Sequence, residues 1–378
     1  MSFTDFKIES LEFRDFRNYE YLLLDGLTDL TIFVGRNGVG KTNILEGIQL
    51  LTSTLSFKHP QVSQLIREES DNARLATALV GGDRLLEISL YLEEGKKSYR
   101  LNDKPKKVAD IRGILPSILF TPDDLELAKK ASRVKRDALD NLGTQLSKSY
   151  YVVRQDYEKV IRYKNRLLKE ESPDVLIDSI DETLVTCGSQ LYCYRMSLFN
   201  RMSELISKHY EHISKGQELF EAHYTPSWLY LEEGISRDDS EKSRDEVRQL
   251  LAEALGKHRE EERRRGRSLV GPHSDKICFY LGGRDVADYA SQGQQRSVVL
   301  AWKLAEVDAV KQVLDQNPVL LLDDVMSELD ETRRAMLVEF VSEETQTFIT
   351  TTDLAGFSGH LLERARIVEL PLVEGEKS

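Results

Sequence analysis

The feature that most constrains this chain is a phosphate-binding loop close to its amino terminus. Residues 35–42 read Gly-Arg-Asn-Gly-Val-Gly-Lys-Thr and match the pattern G-x-x-x-x-G-K-[ST]. An apolar run from Leu30 to Val34 precedes the loop, and apolar residues at helical spacing follow it, as the motif requires. The glycines let the backbone curl so that its N–H groups can surround phosphate oxygens. The sequence therefore predicts a strand, a loop and a helix that bind a nucleoside triphosphate.

Two residues of the loop have distinct expected roles. Lys41 is predicted to reach the β and γ phosphates, both as a ligand and as a catalytic cation, and Thr42 is predicted to ligate Mg²⁺. The amino terminus of the following helix adds positive potential. The predicted ATP-binding residues are Gly35, Arg36, Asn37, Gly38, Val39, Gly40, Lys41 and Thr42. The predicted cofactors are ATP and Mg²⁺.

A second apolar run, from Val319 to Leu322, ends in the carboxylates of Asp323 and Asp324. A buried strand with this pattern delivers its carboxylates to the phosphate site. Asp323 is predicted to hold Mg²⁺ together with Thr42, and Asp324 to orient or deprotonate the attacking water. Such a run is a weak indication alone, but its combination with the phosphate loop predicts an ATPase.

Between these motifs, a small polar turn opens a helical run. It comprises Ser291, Gln292, Gly293, Gln294 and Gln295, and it resembles the signature motif of ABC-type ATPases. In that superfamily the helix N-terminus and a serine hydroxyl approach the γ phosphate bound by the other protomer. The resemblance implies that Ser291 is a catalytic residue acting in trans. An ordinary capped helix is the alternative interpretation.

A further strand pattern ends at Thr350, where members of the superfamily carry a switch residue. Many of them have histidine at this place. Here Thr352 and Asp353 are the candidates, and a simple turn at the end of the strand is the alternative.

The chain changes character twice along its length. Alternating apolar residues from Leu86 to Leu92 predict an antiparallel meander in the first third. From about Leu125 to Arg267 helical spacing dominates, with a polar stretch from Leu231 to Asp245 that predicts a mobile loop. We therefore predict an α/β fold, an ABC-type ATPase head with a P-loop lobe and meander. Lobe I comprises residues 1–124 and 268–378, and a helical lobe II is inserted at 125–267.

Charge limits the partners that this chain can have. It carries 52 basic and 64 acidic residues, a net charge of −12, which excludes a protein that coats nucleic acid by bulk charge. Any DNA contact must therefore use a local basic patch. The candidate DNA-binding residues are Lys129, Lys130, Arg133, Lys135 and Arg136. A solvated helix face is the alternative interpretation of this cluster.

The sequence also predicts the subcellular location of the protein. No stretch approaches about 18 consecutive apolar residues, so no membrane span and no membrane partner are expected. The first residues have neither a basic region nor an apolar core of the kind found in signal peptides. A cytoplasmic location is therefore expected.

The order and the details of these motifs resemble the RecF family of SMC-related ATPases. The matching stretches are Asp15 to Tyr19, the phosphate loop, Phe120 to Leu125, Gly271 to His273, Ser291 to Leu304 and Leu320 to Arg334. They bracket almost the whole chain. The segment between Lys41 and Ser291 is too short for the long coiled-coil arms of SMC proteins. The chain departs from the usual family pattern at Ser56–Val62 and Lys130–Asp140.

The resemblance implies a function in recombinational DNA repair, replication restart and SOS induction. An ATP-closed homodimer would clamp DNA, as duplex or as a single-strand/duplex junction, at gaps or stalled forks. It would help RecO and RecR to load recombinase, and hydrolysis would release it. The implied enzyme is a weak, DNA-stimulated ATPase used as a switch in a cytoplasmic, nucleoid-associated protein.

Two other classes of function use the same motifs. The first is the ATPase subunit of an ABC transporter, which the strand-rich start and the Ser-Gln-Gly-Gln-Gln form of the signature disfavour. The second is a nucleotide-regulated scaffold without useful hydrolysis, which Asp323, Asp324 and the intact signature make a weaker interpretation.

Overall fold

The structure is a computed structural model that describes residues 6–233, 242–340, 345–355 and 357–371. Contacts divide the chain into two compact units. The first unit comprises residues 1–125 and 306–378, and the second unit comprises residues 126–305. The second unit is thus an insertion into the first along the chain.

The secondary structure within the described residues contains both strands and helices. The strands are β1 (Lys7–Phe16), β2 (Tyr19–Leu24), β3 (Leu30–Val34), β4 (Ala73–Gly81), β5 (Arg84–Glu93), β6 (Lys96–Leu101), β7 (Lys104–Lys106), β8 (Ser117–Phe120), β9 (Phe220–Thr225), β10 (Lys276–Leu281), β11 (Arg284–Asp285), β12 (Val319–Asp323), β13 (Thr347–Thr351) and β14 (Arg366–Glu369). The helices are α1 (Lys41–Thr52), α2 (Val62–Leu65), α3 (Val108–Ile111), α4 (Ser132–Leu146), α5 (Lys148–Lys169), α6 (Asp174–Ser214), α7 (Ser227–Glu233), α8 (Arg244–Arg265), α9 (Val286–Tyr289), α10 (Gln292–Leu314), α11 (Glu331–Phe340) and α12 (Gly359–Arg364).

A parallel sheet in the first unit positions the site. Its strand order is β14-β3-β13-β12-β8, and every neighbouring pair is parallel. Strands β8, β12 and β13 are buried at every residue, because a parallel sheet is covered on both faces. All five strands end at the same edge. The segments that follow β3, β13 and β12 are therefore neighbours there.

The first unit also contains the antiparallel meander predicted from sequence. Its strand order is β2-β1-β4-β5-β6-β7. Helix α1 contacts both sheets: the Tyr99 hydroxyl of β6 donates to the Leu50 carbonyl at 2.9 Å, and Thr52 Oγ1 donates to Ser117 Oγ of β8 at 2.7 Å. These contacts hold the helix that follows the phosphate loop from two sides.

The second unit is mainly helical and has charged groups in its interior. Arg195 of α6 donates to both carboxylate oxygens of Asp140 in α4 at 2.9 Å, and it donates to the Pro272 carbonyl at 2.6 Å. Burial opposes ionisation of Asp140, but the Arg195 guanidinium holds its pKa below the ordinary value. This buried ion pair joins two helices to the segment that precedes β10.

The compact units differ from the predicted lobes in one stretch. The sequence assigned residues 268–305 to lobe I, whereas the second unit contains them. The reason is that β10 pairs with β9, and the Trp302 ring of α10 packs on Phe279 with 5.7 Å between centroids. These partners are distant in sequence, so the change of pattern near Arg267 did not reveal them.

The predicted polar loop and the membrane-crossing potential of the helices can be compared with the described residues. Of the loop predicted from Leu231 to Asp245, residues 234–241 lie outside the described residues, and its two ends belong to α7 and α8. Among the helices of the described ranges, none combines the length and the apolar character that a membrane crossing needs.

Candidate nucleotide-binding site

The phosphate loop joins β3 to α1, as the sequence predicted. Gly38 and Gly40 have φ values of 84° and 108°, a region that residues with a side chain rarely adopt. A Cβ atom on Gly40 would also lie 2.5 Å from Nδ2 of Asn18. Both positions therefore need glycine for the curl of the loop, and Gly40 also needs it for close packing on Asn18.

Lys41 places a cation beside the phosphate loop. Its Nζ donates to the carbonyls of Gly35 at 2.6 Å and Arg36 at 3.1 Å, and the residue is 6% exposed. The ammonium group therefore lies over the loop, shielded from solvent and bound by neutral acceptors. Phosphate oxygens are stronger acceptors because they are charged, so they can replace the carbonyls.

Two threonine hydroxyls converge on one oxygen of Asp323. Thr42 Oγ1, at the start of α1, donates to Asp323 Oδ1 at 2.9 Å. Thr350 Oγ1, on β13, donates to the same oxygen at 2.7 Å. Strand β13 lies between β3 and β12, and for this reason its end meets both motifs. The hydroxyl of Thr42 and the carboxylate of Asp323 are oxygen donors of the kind that Mg²⁺ prefers, so these residues could hold that ion.

Asp324 has the features of a general base. Its backbone is left-handed, with φ of 51°, and its N–H donates to Thr350 Oγ1 at 3.0 Å. Within the described part of the chain, its Oδ1 is buried and has no hydrogen-bond partner. Burial raises the pKa of Asp324 above its ordinary value, the charge of Lys41 opposes this shift, and the charge of Asp323 adds to it. The carboxylate is thus a stronger base than an exposed aspartate.

These groups line a cavity of about 220 Å³. Its lining residues are Asn37, Gly38, Gly40, Lys41, Thr42, Asn43, Lys58, Asp323, Asp324 and Thr350. A second cavity, of about 540 Å³, shares Asn43 with the first. It is lined by Arg17, Asn18, Asn43, Gln64, Ile66, Arg67, Glu68 and Glu69. The structure therefore joins most of the phosphate-loop residues to both carboxylates in one place.

The sequence interpretation missed a polar chain beside the loop. Asn18 Nδ2 donates to the Val39 carbonyl at 3.1 Å, and Asn43 Nδ2 donates to Asn18 Oδ1 at 2.8 Å. Lys58 Nζ donates to Asn43 Oδ1 at 3.0 Å. The position of Asn18 within the family-like stretch from Asp15 to Tyr19 was the one available signal. Lys58 gave none, because it lies in a stretch that departs from the family pattern.

Thr350 was also missed, although the strand end that contains it was singled out. The residue that contacts both carboxylate residues is Thr350, rather than the two candidates after it. Asp353 takes part in a turn, because its carbonyl accepts from Thr351 Oγ1 at 2.7 Å and its Oδ1 accepts from the Ala355 N–H at 2.9 Å. The assignment of a switch role to Thr352 or Asp353 stays a prediction.

The signature residues, Ser291 to Gln295, belong to the second unit. Ser291 precedes the first residue of α10 and caps it: its Oγ accepts from the Gln294 N–H at 3.2 Å, and its own N–H donates to Gln294 Oε1 at 2.7 Å. In these bonds the serine oxygen is an acceptor, so its proton can still be donated to a ligand. The capped helix and the signature interpretation are therefore compatible.

The structure corrects part of the predicted DNA-binding cluster. Lys135 and Arg136 are 4% and 9% exposed. Lys135 Nζ lies over the Phe279 ring, 4.5 Å from its centroid, and Arg136 donates to the His273 carbonyl at 2.6 Å. Both side chains therefore pack inside the second unit, because their helix face is turned inward. The basic residues of the cluster that remain at the surface are Lys129, Lys130 and Arg133.

The chain is similar to known proteins over most of its length. Residues 7–360 match the family model of the RecF/RecN/SMC N-terminal domain. The chain is 34% identical over 369 residues to the DNA replication and repair protein RecF of Lactobacillus acidophilus, covering 96% of each chain. It is 36% identical over 362 residues to the protein of that name from Geotalea uraniireducens, covering 95% of this chain and 97% of the relative.

Solved structures have the same fold. The structure of the recombination mediator protein RecF-ATPrS in the RecFOR pathway has a TM-score of 0.86 and 26% sequence identity, with 95% of each chain covered. The Smc head domain from Pyrococcus furiosus has a TM-score of 0.51 and 19% identity, covering 96% of this chain and 93% of that chain. The second similarity concerns the fold alone.

The central place of Thr350 predicts the effect of removing its hydroxyl. Thr350→Val keeps the shape of the side chain but removes the donor to Asp323 and the acceptor for the Asp324 N–H. We expect a loss of about 1–3 kcal/mol in the free energy of unfolding, since two hydrogen bonds of the site are lost. Asp323 keeps Thr42 as a donor, and the Asp324 N–H keeps the Thr350 carbonyl as an acceptor. Thr350→Ser, which keeps the hydroxyl, is the control. Urea denaturation that finds the two variants equally stable would contradict this prediction.

Proposed function

The chain belongs to the RecF family of DNA replication and repair proteins, and on this premise we propose that it is a DNA-binding ATPase that closes into a dimer around ATP. The observation that carries the proposal is the convergence of Lys41, Thr42 and Asp323 at one edge of the parallel sheet. The relatives named above are DNA replication and repair proteins, which favours this function over that of a transporter subunit.

ATP binding follows from the groups around the smaller cavity. The loop N–H groups and the start of α1 attract the phosphates, and Lys41 exchanges the carbonyls of Gly35 and Arg36 for the β and γ phosphate oxygens. The larger cavity beside it has room for the nucleoside. The similar structure named RecF-ATPrS supports ATP as the ligand. Thr42 and Asp323 would hold Mg²⁺, which supplies charge neutralisation at the phosphates.

Hydrolysis follows from the position of Asp324. Its carboxylate takes a proton from the attacking water, whose oxygen forms a bond to the γ phosphorus. The bond from that phosphorus to the bridging oxygen breaks, and ADP and phosphate leave. Lys41 stabilises the negative charge that develops on the phosphate oxygens. The raised pKa of Asp324 makes it a better proton acceptor.

Asp324→Asn separates binding from hydrolysis. The amide has the shape of the carboxylate but cannot accept the proton, so we expect turnover to fall by roughly 10²-fold or more. ATP should still bind, and it should trap a long-lived dimer detectable by light scattering. Lys41→Met, in contrast, should lose ATP affinity and the dimer together. Turnover of Asp324→Asn equal to that of the unaltered protein would remove Asp324 from this role.

The proposed dimer shares its two sites between protomers. Ser291 and the amino terminus of α10 bring a hydroxyl and partial positive charge to the γ phosphate held by the partner subunit. The γ phosphate carries much of the negative charge of ATP, so closure is favoured by ATP and lost with ADP. Support for this arrangement comes from the exposed, capped position of Ser291 and from the resemblance of Ser291 to Gln295 to the ABC signature.

A mixture of two inactive variants tests the shared site. Ser291→Arg blocks closure by bulk and by displaced charge, and Lys41→Met removes the phosphate ligand. In a mixed dimer one composite site contains both changes and the other contains neither. We expect ATPase activity to return in the mixture, up to about a quarter of the unaltered rate for random pairing. Mixed dimers that form but show no activity above either variant alone would exclude shared sites.

The bound nucleotide would control the affinity of the protein for DNA. DNA would be held by the ATP-closed dimer at gaps, junctions or stalled forks, and it would be released after hydrolysis. DNA would in turn stimulate a weak ATPase. Lys129, Lys130 and Arg133 provide surface charge for phosphate contacts. The protein would also load recombinase together with RecO and RecR and contribute to SOS induction. Its location would be cytoplasmic and nucleoid-associated.

The salt dependence of DNA binding tests the basic patch. Changing Lys129, Lys130 and Arg133 together to Gln should weaken ATP-dependent DNA binding and reduce the slope of log K against log salt by roughly 0.9 for each phosphate that the variant no longer neutralises. The matched control changes three exposed lysines, Lys96, Lys104 and Lys106, to Gln. An unchanged slope in the first variant, or an equal reduction in the control, would place the DNA elsewhere.

A further inference from the structure

The signature serine is connected to the interior of the second unit by a chain of side chains. Gln294 is the middle member of that chain. Its Oε1 accepts from the Ser291 N–H at 2.7 Å, and its Nε2 donates to Glu218 Oε1 at 2.6 Å. Glu218 lies between α6 and β9, more than seventy residues earlier in the sequence. The cap of α10 therefore depends on Glu218, a residue that lies outside the helix.

The chemistry of the three groups allows one orientation of the Gln294 amide. A backbone N–H only donates, and an ionised carboxylate only accepts. The amide satisfies both when its oxygen faces Ser291 and its nitrogen faces Glu218. The opposite orientation would place two donors together at Ser291 and two acceptors together at Glu218. Glu218 thus selects the orientation in which Gln294 caps the serine.

Glu218 is itself held at its other oxygen. The hydroxyl of Tyr210, in α6, donates to Glu218 Oε2 at 3.0 Å. Tyr210 is 1% exposed, and its ring packs against Phe220 with 5.8 Å between centroids. Next to Glu218, the Leu219 carbonyl accepts from the Gly282 N–H at 2.9 Å. The buried Tyr210 therefore holds one oxygen of the Glu218 carboxylate, and the other oxygen contacts Gln294 in the first turn of α10.

We propose that Glu218 is a positioning residue for the signature motif. Through Gln294 it holds Ser291 in the conformation in which the serine proton can meet the γ phosphate of the partner subunit. This inference rests on the shared site proposed above. Without the carboxylate, the Gln294 amide can rotate and leave the Ser291 N–H uncapped, so the hydroxyl no longer has one fixed position. Closure then costs more, although no group that touches ATP has been changed.

Replacing the acceptor should change turnover but leave ATP binding by the monomer intact. For Glu218→Leu we expect kcat to fall roughly tenfold, the size of one lost side-chain hydrogen bond, with an unchanged Kd for ATP. Glu218→Gln should stay within about threefold of the unaltered protein, because its oxygen can accept from Gln294 and its nitrogen can donate to Tyr210. Gln294→Met removes the same link from the helix side, and it applies if Glu218→Leu fails to fold.

A matched control is available on α8. Gln249 Nε2 donates to Glu253 Oε1 at 3.0 Å, a bond of the same type on an exposed helix face. Glu253→Leu should therefore leave kcat unchanged. A fall in kcat equal to that of Glu218→Leu would show that loss of any such bond lowers turnover, and it would overturn the inference.

A double-mutant cycle with Ser291→Ala decides whether Glu218 acts through the serine. If it does, Glu218→Leu lowers kcat in the unaltered protein but has little further effect beside Ser291→Ala, since coupled residues are not additive. An equal fall in both backgrounds would overturn the inference and leave the shared site standing. If Ser291→Ala alone leaves kcat unchanged, the proposed shared site fails, and the role of Glu218 fails with it.

Discussion

One oxygen atom, Oδ1 of Asp323, accepts hydrogen bonds from two threonines that come from different parts of the chain. Thr42 belongs to the helix after the phosphate loop, and Thr350 lies in β13, the strand between β3 and β12 in the sheet. Asp323 and Thr350 are buried and Thr42 is half-buried, so a missing partner for the buried groups is costly. This contact fixes the distance between the phosphate loop and the carboxylates. Every step proposed for ATP depends on that distance.

The sheets make such a contact possible. Parallel strands that are buried on both faces bring their carboxyl ends to one edge, and the strand order places β13 between β3 and β12. Helix α1 is held by Tyr99 on one side and by Ser117 on the other. The loop before α1 is therefore carried by rigid elements. A site built in this way needs little reorganisation when a charged ligand enters.

The second unit uses buried polar groups for a different purpose. The Arg195–Asp140 pair lies in its interior and joins helices, whereas the Tyr210–Glu218–Gln294 chain leads from the interior to the surface. In both cases the donors and acceptors are matched, which makes one arrangement much more favourable than its alternatives. The signature serine is thus exposed but not free to adopt many conformations. The proposed action of Ser291 on a second subunit needs this combination.

The parts of this protein that obey local rules could be predicted from its amino-acid order. The phosphate loop needs glycine at positive φ, and a buried strand favours a continuous apolar run, so Gly38, Gly40 and β12 could be predicted, as could the family. Only the folded structure reveals the hydrogen bonds of Thr350 and Glu218, the burial of Lys135 and Arg136, and the unit to which residues 268–305 belong. The physical reason is that these properties depend on partners distant in sequence, such as Asp323, Gln294, Phe279 and β9. No local pattern records which residues folding will bring together.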